Sequence, residues 1–177
     1  MSASGQAQNR PSCFVIMPFD PKLNRVYELV LAPACRQAGF EPERADTSNA
    51  SERITNHLLA RLLESEMVLG DLSSRNPNVL YELGVRHACG GSTVLVQSSG
   101  TERIFDIQDI RTTEYDARIT PGSIKRDIDV IAAQLRSTYE RGRAENLVYR
   151  TAGSLGFAGR QNQGPARTCR RRSAVIS

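Results

Sequence analysis

Three carboxylates and an amide stand where this chain could do chemistry: Asp20, Asp71, Asn76 and Glu82, the last two inside the run NPNVLYELG (76–84). Breaking a sugar–base bond passes through an oxocarbenium-like state, and a carboxylate beside the anomeric carbon can trap it covalently or stabilise its charge. A second carboxylate would orient the ribose hydroxyls. A plainer reading fits the same spacing. Glu82 and Arg86 form an i, i+4 surface ion pair, Asn76 is an adequate helix N-cap, and Asp71 receives backbone N–H groups in a loop.

Other chemistries lose their support in the sequence. No GxGxxG or GxxxxGK[ST] phosphate loop occurs, and Gly90-Gly91 stands as an isolated turn signal. The two histidines, His57 and His87, form no H-x-x-x-H pair, so no metal site is expected. His87 shares a helix face with Leu80, Leu83 and Gly84 and reads as a packing histidine. There is no GxSxG elbow, and Cys13 reads as a small core residue rather than a nucleophile. Cys13, Cys35, Cys89 and Cys169 are widely spaced without a CxxC pair, which predicts free thiols. No cofactor is implied.

These residues need elements to hold them. CFVIM (13–17) is a short continuous apolar run closed by Pro18, the pattern of a strand buried on both faces of a parallel sheet. Val26, Leu29, Val30 and Ala34 recur at helical spacing over 25–38, a segment that Pro33 should kink or shorten and that Gly39 ends. FEPERAD (40–46) is a weak second strand. Ile54, Leu58, Leu59, Leu62 and Leu63 mark an amphipathic helix over about 51–65. MVLGDL (67–72) predicts strand three, and Asn76-Pro77 opens a helix over 78–89. STVLVQ (92–97) predicts strand four, Ile110–Tyr115 strand five, and Thr120-Pro121 a last helix with Ile124, Ile128, Ile131 and Leu135 on one stripe.

Alternation of this kind calls for an α/β fold, a flavodoxin-like three-layer sandwich whose parallel sheet of about five strands carries helices on both faces. In the strand order 2-1-3-4-5 a ligand crevice opens outside the carboxyl ends of strands one and three. Met17, Pro18, Phe19 and Asp20 would line it from one side. Asp71 through Asn78 would line it from the other, with Glu82 nearby.

At 177 residues and 40% hydrophobic, the chain suits one domain with tails. The expected division is 1–11 disordered, 12–142 the folded domain, and 143–177 a basic tail without structure. Residues 150 to 177 hold six arginines and no acid, so the net charge of +4 leaves −2 for the remainder. The basic balance therefore describes a tail rather than a nucleic-acid face, and only Phe157 accompanies those arginines as a stacking residue. No run approaches the roughly 20 apolar residues of a membrane span, and the N-terminus does not resemble a signal peptide, so a cytoplasmic location is expected.

The series CFVIMPF, ERAD (43–46), MVLGDLSSRNPNVLYELGVRHA (67–88) and FDIQDIRTTEY (105–115) resembles the bacterial nucleoside 2-deoxyribosyltransferase-like and Toll/interleukin-1-receptor (TIR)-like domains, over residues 13 to about 140. The resemblance implies that Glu82 is a nucleophile forming a glycosyl-enzyme intermediate. It places Asp71 near the reacting base and sugar, with Pro18 to Asp20 flooring the pocket; Asn76, with Asn78 from the switch-point lining, is expected to bind substrate. Where the transferases usually carry an aspartate six residues before that glutamate, this chain has Asn76, an amide that can bond a hydroxyl but carries no charge. The NPNV form is instead similar to TIR-like members associated with bacterial signalling and defence. Two readings follow: N-glycosidic cleavage or transfer on a nucleoside, nucleotide or NAD, or a nucleotide-sensing or assembly module without chemistry. The likeness also implies a homo-oligomer.

Overall fold

The computed structural model describes residues 10–18, 20–44, 52–107, 110–142 and 147–155. Five strands, β1 (Ser12–Ile16), β2 (Glu41–Arg44), β3 (Met67–Asp71), β4 (Thr93–Ser98) and β5 (Thr112–Tyr115), form one sheet in the order β2-β1-β3-β4-β5, every pair parallel. The expected fold class and strand order are both found. Residues alternate between the two faces, which is why the strand sequences are apolar without a break. Cys13, Val15, Leu69 and Val96 join one core layer; Phe14, Ile16, Val68 and Leu95 join the other.

The first layer is covered by α1 (Pro21–Val26), a π-helical stretch (Tyr27–Leu31), α2 (Ala32–Ala38) and α5 (Pro121–Arg141). Val26, Val30, Leu31 and Cys35 meet Ile131 and Leu135 there. The second layer is covered by α3 (Glu52–Glu64) and α4 (Pro77–Ala88), through Leu62, Val79 and Leu83. No helix among the described residues is long and apolar enough to cross a membrane.

Three differences from the sequence expectation have physical causes. The first helix begins at Pro21, with Asp20 as its N-cap, the same cap-then-proline start seen at Asn76-Pro77 and Thr120-Pro121. Pro33 neither breaks nor shortens it. The chain widens just before that proline into the π-helical stretch, where the Ala32 N–H bonds Tyr27 O, and so absorbs the missing donor. Within the stretch expected to lack structure, a helix α6 (Leu147–Ser154) forms, and the Tyr149 ring lies against Gly90 so closely that a Cβ there would overlap it. A composition rich in Gly, Ser and Arg hid this docking, which depends on one aromatic side chain and one glycine far apart in sequence.

Arg86 departs most from expectation. It is no surface partner of Glu82: its side chain is buried and its guanidinium donates to the carbonyls of Leu62 (2.9 Å), Leu63 (3.1 Å), Ser65 (2.8 Å) and Glu66 (3.3 Å). Those are the orphan carbonyls of the α3 C-terminus and the turn into β3, which need donors once buried. Gly91 leaves the room for this, since a Cβ at that position would lie inside the Arg86 guanidinium. Arg86→Met should therefore cost on the order of 3 kcal/mol by stranding buried acceptors, lowering Tm by about 10 °C. Thermal unfolding followed by circular dichroism checks this, and an unchanged Tm would refute the assignment.

Candidate active site

The sheet order reverses between β1 and β3, the place where open parallel sheets bind ligands outside the carboxyl ends of their strands, and the loops that follow those two strands stand there. After β1 come Met17 and Pro18, both buried; Phe19 lies outside the described residues. Asp20 is exposed and spends its carboxylate on the Lys22 N–H at 2.8 Å, capping α1. On the outer side, Arg44 ends β2. Its guanidinium donates to Asn24 Oδ1 (2.8 Å) and to Pro18 O (3.2 Å) and lies 5.3 Å from the centre of the Tyr27 ring.

β3 ends in Asp71, which is 1% exposed. Its Oδ1 accepts from Ser73 N (2.9 Å) and Ser73 Oγ (2.5 Å), and its Oδ2 accepts from the Tyr115 hydroxyl (2.8 Å) at the end of β5. Ser73 Oγ in turn accepts from Ser98 N at 2.7 Å, at the end of β4. Burial pushes the Asp71 carboxyl above its ordinary range, and the three donors pull it back. Burial first, and then the neighbouring Asp71, push the Tyr115 phenol far up, so it stays a donor.

The chain then turns through Arg75, a non-glycine residue at φ 51°, whose guanidinium binds Glu102 through its carboxylate (2.6 Å) and its carbonyl (3.0 Å). Asn76 caps α4, its Oδ1 accepting the Asn78 N–H at 2.8 Å, and Asn78 is exposed. Glu82 lies between Val79, Leu83 and Arg86, along the edge of the buried stripe of α4. It is half-buried, and no described residue hydrogen-bonds or ion-pairs with it. Burial is the one cause acting on its carboxyl, which is pushed up to about 7.

The predicted residues thus divide. Met17 and Pro18 are buried just after β1, Asn76 and Asp20 serve helix caps, Asp71 is enclosed, and Glu82 is the one of the predicted carboxylates without a donor among the described residues. Tyr115 and Arg44 were not expected, and Ser73 fell within the expected lining, Asp71 through Asn78, without a role of its own. Ser73, two residues after a strand-end aspartate, fits an Asx-turn and was legible in principle. Tyr115 was not, because 44 positions separate it from its partner. No group of three metal-ligating side chains is assembled among the described residues. A hollow of about 340 Å³ lined by Glu64, Ser65, Arg86 and Ser92 opens at the amino ends of β3 and β4, the edge away from Glu82.

The raised Glu82 carboxyl has a definite sign. Its folded value of about 7 exceeds the ordinary 4.5, so its contribution to stability is complete below about pH 4.5 and is lost as pH rises through 7. Glu82→Gln, which cannot ionise, should match the wild type at pH 4.5. It should gain about 1–2 kcal/mol over it at pH 8, after allowance for solvent screening. Denaturant unfolding at both pH values measures this, and a gap independent of pH would refute the desolvated state.

No family model matches the sequence, and no curated protein matches it. Among solved structures the chain is similar to the CMP N-glycosidase BcmB of Clostridium botulinum, at 15% identity and a TM-score of 0.50, over 67% of this chain and 98% of that one. Likeness at that identity shows a shared fold.

Proposed function

We propose that this chain cleaves or transfers an N-glycosidic bond of a nucleoside, nucleotide or NAD, with Glu82 as the nucleophile. The observation that carries the reading is the half-buried Glu82 carboxyl, without a donor among the described residues and pushed up to about 7, beside a switch-point crevice. An anion so poorly solvated gains most when positive charge develops next to it, which is what an oxocarbenium-like anomeric carbon supplies. One Glu82 oxygen bonds to C1′ while the C1′–N bond breaks and its electron pair leaves with the base; a purine or pyrimidine then takes a proton from solvent, whereas the nicotinamide of NAD leaves neutral and needs none. Water, or a second base, then displaces Glu82 from the sugar.

Other residues take supporting parts. Met17 and Pro18 floor the pocket. Asn76 keeps its Oδ1 on the helix cap and offers its amide N–H groups to a sugar hydroxyl, while Asn78 stands at the mouth. Asp71 acts through Ser73 and Tyr115 as a positioning residue. A fold shared with a CMP N-glycosidase supports the reaction class.

A second reading, a TIR-like nucleotide-sensing or assembly module, is favoured by one observation: both Asp71 oxygens are spent inside the protein, so the crevice offers Glu82 without a companion from β3. Such a module would show ligand-induced thermal stabilisation and no product.

Chromatography of bases released from NAD, common nucleotides, and nucleosides with and without an acceptor base separates the two. Base release by the wild type, reduced at least about a hundredfold in Glu82→Gln, is expected, because the amide is a far poorer nucleophile. kcat/KM should rise about tenfold per pH unit below 7 and level off above it, as the nucleophile ionises. Release that survives in Glu82→Gln would remove the mechanism; no release with a thermal shift would establish the module.

A further inference from the structure

The hollow of about 340 Å³ sits at the amino ends of β3 and β4, where α3 and α4 both finish, and the proposed reaction makes no use of it. Leu63, Glu64 and Glu66 line it from the end of α3 and the turn into β3, while Cys89 and Gly91 line it from the end of α4. Leu63, Glu64, Glu66 and Cys89 are exposed. Glu64 closes the last turn of α3, where a carboxylate meets the negative end of the helix. Glu66 accepts from Ser12 N and Oγ, both at 2.8 Å. Neither forms an ion pair among the described residues. Arg86 is the cation of the lining, and its guanidinium is spent on the carbonyls of Leu62 and Ser65 and their neighbours. Cys89 is the exposed thiol of the three described, Cys13 and Cys35 being buried.

The chain carries its own complement to this place. Tyr149 of α6 packs its ring on Gly90, between the lining residues Cys89 and Gly91, and Leu155 follows within about 9 Å along the helix. Beyond Leu155 the sequence holds Arg160, Arg167, Arg170, Arg171 and Arg172, no acid, and one thiol, Cys169. Cys169 stands fourteen residues past Leu155, a coil length of roughly 20 Å and an extended reach of about 45 Å. The run CRRR (169–172) is therefore tethered beside the rim of the hollow.

We infer that residues 167–172 of this chain dock over the hollow, with their arginines against Glu64 and Glu66 and with Cys169 beside Cys89. A guanidinium suits the spot, because the carboxylates and the last carbonyls of a helix both accept from it. Since α6 already fixes the tether at Gly90, the loop left to close is short and its closure costs little entropy. The docked segment clasps α3 to α4 at the end of the sheet away from Glu82.

Disulfide exchange reports the docking. The reduced full chain is equilibrated with reduced and oxidised glutathione. The Cys89 thiolate attacks the glutathione disulfide and releases one glutathione, and the Cys169 thiolate then displaces the second. One Cys89–Cys169 bond forms, one glutathione disulfide is reduced to two thiols, and the two cysteines give up their protons. Peptide mapping by mass spectrometry without reduction gives the effective concentration of Cys169 at Cys89. A flexible tether by itself supplies a value in the millimolar range, and docking should raise it at least about tenfold. The excess should vanish in about 1 M salt, where screening acts within roughly 3 Å, and in Glu64→Lys. It should return when Glu64→Lys is combined with Arg170→Glu, Arg171→Glu and Arg172→Glu. An effective concentration indifferent to salt and to Glu64 means a tether without a docking place and overturns the inference. So does a Cys89–Cys169 bond between two molecules, which would give the hollow to the tail of a second copy, and so does glutathione left on Cys89 with no Cys169 joined to it. If Glu64→Lys does not fold, Arg170→Ser, Arg171→Ser and Arg172→Ser together must abolish the same excess, and an excess that persists in that protein overturns the assignment.

Discussion

A single enclosed carboxylate ties together the carboxyl ends of three strands. Asp71 ends β3, takes two bonds from Ser73 and one from the Tyr115 hydroxyl, and through Ser73 reaches the backbone of Ser98. Side-chain contacts of this kind fix what the ladders leave open. Backbone pairing sets the register of β3, β4 and β5, but the loops that leave them could diverge. Burying the carboxylate costs solvation, and three donors to its two oxygens offset that cost. The β3–α4 loop is thereby held at its first residues, and its exit through the left-handed Arg75 is held by Glu102.

α4 inherits this rigidity and is anchored independently at its other end. Asn76 caps its start, and Arg86 in its last turn binds the carbonyls that close α3. A helix gripped at both ends leaves the backbone of the residue between them, Glu82, little freedom to shift. Paired glycines complete the arrangement for separate reasons. Gly90 takes φ 72°, with the Tyr149 ring packed against it, and Gly91 makes room for the Arg86 side chain. A dipeptide that reads as a turn signal is thus a packing requirement in both positions.

How much of this was legible follows from the range of each interaction. Period and punctuation are local, so the strands, their order and four helical segments were accessible from CFVIM, MVLGDL, STVLVQ, the apolar periodicities and the cap-proline pairs. Asp20-Pro21 carries the same signal as Asn76-Pro77 and belongs with them, although the loop-like composition around it concealed the helix start. Arg86 misled for a different reason. An arginine four residues after a glutamate fits a surface pair, and nothing local shows that α3 ends beneath it with unpaired carbonyls. Tyr115 and Arg44 depend on partners in other strands and loops, and only the sheet order brings those together.

Glu82 and Asp71 form a controlled contrast, two carboxylates of the same half-domain whose carboxyls burial pushes in the same direction. Around Asp71 the protein supplies three donors, so the stress of burial is answered within the fold and the group is structural. No described residue supplies a donor to Glu82, so the stress of burial is answered there by nothing but solvent. A fold has no reason of its own to keep an uncompensated carboxylate on a helix that solvent can reach, since a neutral amide of the same shape would be more stable at neutral pH. Local cost without local return sets Glu82 apart from Asp20 and Asp71, and under the proposed reading a ligand beside it would supply the return.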